Sequence, residues 1–473
     1  MHPAPSRPKR TLFRLGAVGL GLGVVLVAEL VLSLLGVGTR HRAPRHDIRV
    51  ADYYPYRQVS FPAQQIDGAT LCGPHPGNIG VMRAGLFPCS KPEGTFRIFV
   101  LGGSSVMGWE IDSDEQVFSE VMANALRARR TPVEVINGGV STWNSFQLLP
   151  LVDEALALGA DLIVLYAGHN DYGYFKAFDA YLEAPPAWVW LQSRTRDLAL
   201  YQAGLLVLAR LRPDTFPEQT VTDEVFDREG WGRSDDGTLI ARDGYREHHR
   251  MVPWEPPPIP ADLAEQKAMY RRLRNEQELV DRRFRENVSL MAARIDAAGA
   301  RFAITEVVSN LFVRPLCSVD WVALDPDERA RLDALQGIVD DDRRSLEERA
   351  AAAEEALRLV PHNALLQFMA GELAFNQEDH PGAIERFTEA RDDMPVCFSR
   401  RAPSRHNRTV ADLASALGAG FISLSEAVNA AAEIPGLPAT RLFRDNLHLS
   451  AEGHRVVGEA IAQGLAAQNL LPE

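Results

Sequence analysis

The sequence predicts a parallel α/β sheet covered by helices, and two observations carry that prediction. Short continuous apolar runs recur along the chain, and helix-length segments separate them. Runs without polar alternation suit strands buried on both faces, as in a parallel sheet. The 473 residues, 46% hydrophobic and 24% charged, are enough for a large core and more than one folding unit. A net charge of −13 argues against a nucleic-acid partner, which needs concentrated Lys and Arg.

The first predicted element is a helix over 15–37, LGAVGLGLGVVLVAELVLSLLGV, apolar except for Glu29. At 1.5 Å per residue such a run spans a bilayer core of roughly 30 Å. It is long for a signal peptide and lacks an Ala-x-Ala-like cleavage site, so it reads as an uncleaved transmembrane anchor after a basic tail, 1–14. Arg7, Lys9, Arg10 and Arg14 precede the run and Arg40, Arg42, Arg45 and Arg49 follow it, so Lys/Arg asymmetry leaves the orientation open. Residues 38–95 read as a linker and N-terminal extension.

Strands are predicted at Phe96–Leu101, Val133–Ile136, Leu162–Ala167, Phe302–Val308 and Phe421–Leu424. Helices are predicted at Glu115–Arg129, Asn144–Leu158, Glu278–Ala298, Thr409–Leu417 and Ala451–Leu465. The core thus comes in three pieces, 96–176, 278–316 and 398–473. The insertion 177–277, with a Gly/Asp-rich stretch and the run PWEPPPIP, reads as a cap or lid. The insertion 317–397 is charged and Ala-rich, and Gly371, Ala383, Phe387, Ala390 and Pro395 fall at tetratricopeptide offsets. Ala356 and Pro361 repeat two of these at a period of 34. Too short for an independent solenoid, this helical unit is expected to pack against the catalytic body. Four cysteines without a Cys-x-x-Cys pair leave two readings open. They are buried thiols, or, outside the cytoplasm, disulfides Cys72–Cys89 and Cys317–Cys397.

After the first strand comes LGGSSVMG, 101–108, where glycines turn the chain and Ser104 opens a helix. Trp109 and Glu110 follow Gly108, where a P-loop needs Lys and Ser/Thr. The dinucleotide pattern Gly-x-Gly-x-x-Gly is absent, and Val106 replaces the second glycine of an α/β-hydrolase elbow. A different serine-nucleophile loop remains. Three further blocks sit after the second strand (NGGVS, 137–141), after the third (GHND, 168–171) and near the C-terminus (DNLHLSAEGH, 445–454). In open α/β sheets ligand sites gather at the carboxyl ends of strands.

With these four blocks in order the sequence resembles the SGNH/GDSL hydrolase superfamily, and GGSS, LYAGHND and the later VVSNL (307–311) resemble a bacterial branch of it that also carries tetratricopeptide segments. The resemblance covers the three core pieces and leaves the anchor and both insertions outside. It implies a flavodoxin-like three-layer α/β/α fold in which Ser104 is the nucleophile and Asp445 and His448 complete a triad. The oxyanion hole is then built from the backbone N–H groups of Ser104 and Gly139 and the side chain of Asn170. Gly103 departs from the family pattern, which has Asp there. No metal or other cofactor is implied.

The function this predicts is a membrane-anchored carboxylic ester hydrolase or O-acyltransferase, working outside the cytoplasm at the inner membrane. An acyl ester is its expected substrate, with O-acetyl groups on envelope glycans as the class favoured by analogy. The rival is a non-catalytic scaffold for envelope polymer assembly that recruits a protein partner through 317–397.

Overall fold

The computed structural model describes residues 7–35, 60–74, 82–83, 85–129, 132–173, 195, 198–201, 203–204, 207, 231–233, 239–241, 260, 262–315, 320, 322–393, 401–439 and 441–472. The chain divides into two units, 1–60 with 183–228, and 61–182 with 229–473.

In the first unit a helix runs Arg7–Leu34 and covers most of the apolar run, with Leu20, Val24, Leu26 and Leu34 exposed. Glu29, the one charge in that run, accepts hydrogen bonds from the backbone N–H groups of Ala199 and Leu200, each 2.8 Å. Among the described residues no helix is long and apolar enough to cross a membrane, and part of the span expected at 15–37 lies outside the described residues.

The second unit opens with a small antiparallel sheet that the linker reading of 38–95 did not foresee. Strands β1 (Ala63–Ile66) and β2 (Ala69–Cys72) form a hairpin, and β3 (Phe87–Pro88) pairs with β2. The hairpin turns on Asp67 and Gly68, with φ of 51° and 82°, the left-handed pair that an Asp-Gly turn adopts. A disulfide joins Cys72 to Cys89, as one of the two cysteine readings expected. Cys317 and Cys397 lie outside the described residues. Buried Arg97 ties this sheet down, bonding the carbonyls of Pro88 and Leu158 at 2.8 and 2.6 Å and pairing with Glu134 at 2.6 Å. Closing so short a loop limits the unfolded chain, so Cys72→Ser is expected to cost about 3 kcal/mol of unfolding free energy, readable as a lower urea midpoint.

The core strands are β4 (Phe96–Gly102), β5 (Val133–Gly139) and β6 (Leu162–Tyr166), then, after an antiparallel pair β7 (Trp231–Arg233) and β8 (Leu239–Ala241), β9 (Arg301–Thr305) and β10 (Gly420–Ile422). They pair in parallel in the order β5-β4-β6-β9-β10. Counted along the core this is 2-1-3-4-5, the flavodoxin-like order, and the direction of winding reverses between β4 and β6. Helix 118–128 packs on helix 451–467, and helix 145–157 packs on helix 263–297. Right-handed crossovers put these two pairs on opposite faces of the sheet.

The helix expected at 278–298 begins earlier, at Leu263, inside the segment assigned to the first insertion. Asp262 caps it, accepting the N–H groups of Ala264 and Glu265 at 2.9 Å, and strong helix formers carry it onward. Most of 177–262, and with it the cap or lid reading, lies outside the described residues.

The second insertion is four helices, Pro326–Asp340, Leu346–Leu359, Ala364–Asn376 and His380–Asp392. Each starts on a side-chain cap: Asp325, Ser345, Asn363 and Asp379. The first three share a core that includes Leu332, Val339, Ala356 and Leu366. The last buries Ala383, Phe387 and Ala390 with Phe368 of the third helix and with Leu311 and Leu437 of the sheet body, so the insertion docks on that body as its shortness predicted.

Candidate active site

β4 ends at the switch point on Gly102, and Ser104 opens the short helix Ser104–Met107 beyond it. From β5, Asn137 Nδ2 donates to the Val106 carbonyl at 2.7 Å and to Ser119 Oγ at 3.0 Å, which props this helix from below. At the other end of the chain, Ser450 accepts the Gly453 N–H at 3.1 Å and caps helix 451–467, leaving His448 in the loop just before it. That loop is held by Asn310, whose backbone N–H and side-chain Nδ2 donate to the carbonyls of Asn446 and Asp445, each at 3.0 Å.

These supports bring three residues far apart in sequence into one hydrogen-bonded chain. His448 Nε2 lies 2.8 Å from Ser104 Oγ, and His448 Nδ1 lies 2.6 Å from Asp445 Oδ2. Asp445 Oδ1 also accepts the backbone N–H groups of Leu447 and His448, each at 2.8 Å. Burial alone would raise the Asp445 carboxyl, but the hydrogen bonds and charge of His448 outweigh it and hold the group down to about 2. An ionised Asp445 fixes the Nδ1–H tautomer of His448, which leaves Nε2 to accept the Ser104 proton. Trp109 stacks on the imidazole at 5.9 Å between centroids and limits its swing.

Asn170 is buried, its Nδ2 donates to the Trp143 carbonyl at 2.7 Å, and the residue lines a cleft that Ser104 also lines. That cleft, walled also by Trp143, Tyr166 and Leu447, has a volume of about 10 Å³, the space of one water-sized group. A Cβ at position 103 would lie 2.5 Å from Asn170 Nδ2, so as the loop stands a side chain there and the amide exclude each other. The departure from the family's Asp thus has a steric basis in this chain.

Gly139 does not join the group. Its N–H donates to Asn137 Oδ1 at 2.9 Å, and its Cα is packed so closely under the Ser104 helix that a Cβ would meet Met107 N at 2.0 Å. It is a packing glycine at the end of β5, and the oxyanion role that the resemblance implied for it is corrected on that ground. The strained residue of the same loop is Thr142, with a φ of 71°, next to Trp143 of the cleft wall. Being neither glycine nor asparagine, it gives no sequence signal.

The remaining polar residues are structural. Ser105 Oγ donates to the Leu447 carbonyl at 3.4 Å, and His454 Nδ1 accepts the Phe118 N–H at 3.1 Å. His169 Nε2 donates to the Val308 carbonyl at 3.1 Å and Nδ1 accepts the Ala402 N–H at 3.0 Å, with burial pushing the ring down to about 3.

Asp171 is buried, and burial pushes its carboxyl up to about 7 against the pull of hydrogen bonds from Ser145. An unfolded aspartate titrates near 4, so the folded chain holds an extra proton between the two values and stability falls as pH rises from about 4 to about 7. Asp171→Asn is expected to flatten that fall. Urea midpoints of both proteins at about pH 5 and about pH 8 check it, and an equal fall in each would remove Asp171 from the pH dependence.

A serine, a histidine and an ionised aspartate are here hydrogen-bonded in the arrangement of a Ser-His-Asp triad, carried at the switch point of a parallel α/β sheet. No protein-family model matches the sequence, and no curated protein matches it. Solved structures that overlap the fold include a GDSL-like lipase from Bacteroides thetaiotaomicron, at 9% identity and a TM-score of 0.30, covering 79% of this chain and 88% of the other. Others are an acetyl xylan esterase, at 10%, 0.32, 78% and 100%, and an extracellular lipase from Streptomyces rimosus, at 12%, 0.29, 79% and 99%.

Proposed function

We propose that the chain is a serine ester hydrolase or O-acyltransferase of the SGNH/GDSL type, acting on a carboxylic ester. The observation that carries this is the hydrogen-bonded chain Asp445–His448–Ser104, with Asn170 lining the same cleft as the serine. His448 Nε2 takes the Ser104 proton as Oγ attacks the acyl carbon, and the negative charge forming on the carbonyl oxygen meets the free N–H of Asn170. Collapse breaks the bond to the alcohol, which leaves with the proton from His448. Water or a sugar hydroxyl then gives its proton to His448 and attacks the acyl-serine, releasing the acid or a new ester and restoring Ser104.

O-acetyl groups on envelope glycans are the substrate class this reading favours by analogy. The Cys72–Cys89 disulfide supports an oxidising compartment, outside the cytoplasm. The apolar run 15–37 and the exposed Leu20, Val24 and Leu26 support attachment to the membrane, and burial of Phe387 and Ala390 at the expected offsets supports the tetratricopeptide-like reading of 317–397. Acetate release from O-acetylated polysaccharide, compared with p-nitrophenyl esters of rising chain length, tests the substrate class. Turnover of long-chain esters without acetate release would redirect it to lipids. Membrane fractionation of the whole chain and of a chain lacking 1–37 tests the attachment, and equal partition of the two would refute it.

A further inference from the structure

The loop that presents Asn170 is fastened from below by a residue outside all four sequence blocks. Helix Ser404–Leu417 starts soon after the helical insertion, and its His406 is completely buried. The imidazole is wedged edge-on against Phe284 and Tyr172, with ring centroids at 4.5 and 5.6 Å. Its Nε2 lies 3.0 Å from the carbonyl oxygen of Ala167, the residue after β6. A carbonyl only accepts, so Nε2 carries the proton, and Nδ1 has no partner among the described residues. Burial pushes the ring down to about 4, which keeps it neutral and in this tautomer.

Gly168 fits the same ring. Its φ is 146°, and a Cβ there would lie 2.1 Å from His406 Nε2, so the imidazole fills the space a side chain would take. His406 therefore fixes both the Ala167 carbonyl and the path of the peptide above it, two residues before Asn170. A neighbouring bond, from the Ala402 N–H to His169 Nδ1 at 3.0 Å, fastens the loop again from the same segment.

We propose that His406 is a positioning residue for acyl transfer: through the Ala167 carbonyl and Gly168 it sets the height at which Asn170 meets the oxyanion. This rests on the hydrolase reading above. His406 touches no reacting atom, so its contribution belongs to the transition state rather than to substrate capture. Misplacing an oxyanion donor by a fraction of an ångström is costly, because the hydrogen bond strengthens only as charge develops.

The test compares three variants of the full chain on p-nitrophenyl acetate, with thermal unfolding measured in parallel. His406→Gln can place an amide N–H near the position of Nε2, His406→Asn near that of Nδ1, and His406→Leu has none. Leu and Asn are expected to lower kcat about 10- to 100-fold with KM within about twofold, and Gln to stay within about threefold of the native enzyme. The split between Gln and Asn at equal melting temperature is the decisive reading, and it stands if the leucine variant does not fold. Equal kcat in Gln and Asn, or losses that merely follow unfolding, would overturn the proposal. Fluorophosphonate labelling of native Ser104 separates the two levels: an inert Ser104 refutes the hydrolase reading and this proposal with it, whereas a reactive one with unaffected variants refutes only the role of His406.

Discussion

Replacing His448 by alanine is expected to reduce turnover of p-nitrophenyl acetate by about 10⁶-fold while leaving the fold intact. The imidazole is the one base within hydrogen-bond reach of Ser104, at 2.8 Å, among the described residues. Without it the serine hydroxyl has no acceptor for its proton, and Asp445, whose carboxylate is spent on His448 and on two backbone N–H groups, does not reach the nucleophile in its place. Such a loss should appear almost wholly in kcat, since nothing in the cleft that holds the acyl group has changed. Stopped assays with purified protein, alongside circular dichroism, read both quantities, and a loss under about tenfold would show that His448 is not the base.

Asn170→Ala carries the second largest expected effect, about 10²–10³ in kcat with KM little changed. Its amide bonds the Trp143 carbonyl through one N–H, and the residue lines the same cleft as Ser104, where the proposed oxyanion would form. Removing the side chain leaves the Trp143 carbonyl without that donor, so some stability is lost too, and a melting curve must accompany the kinetics. Near-native turnover in a folded Asn170→Ala protein would take the residue out of the mechanism.

The extent to which this site was legible in the sequence follows from where its signals are local. Ser104, Asp445, His448 and Asn170 each sit in a short block at a strand end or helix start, and the topology brings the blocks together as the parallel reading requires. Gly139 was placed in the oxyanion hole by the resemblance, yet its N–H is taken by Asn137 two residues earlier and its missing Cβ makes room for Met107. The left-handed residue of that loop is Thr142, a type that does not announce such a conformation. His406 was illegible for another reason: a lone histidine on a helix looks like any other, and its significance lies in a carbonyl that precedes it by more than two hundred residues. The hairpin at Asp67–Gly68, by contrast, was legible and passed over, since Asp-Gly between short β-prone runs is a strong turn signal.

The most direct test of the account is labelling of the native chain with a fluorophosphonate, followed by peptide mapping. The probe reports an activated serine with no assumption about the substrate. Modification confined to Ser104, and lost in His448→Ala, is the predicted result. A folded protein that takes up no label, or takes it up at Ser105 instead, would contradict the assignment of the triad.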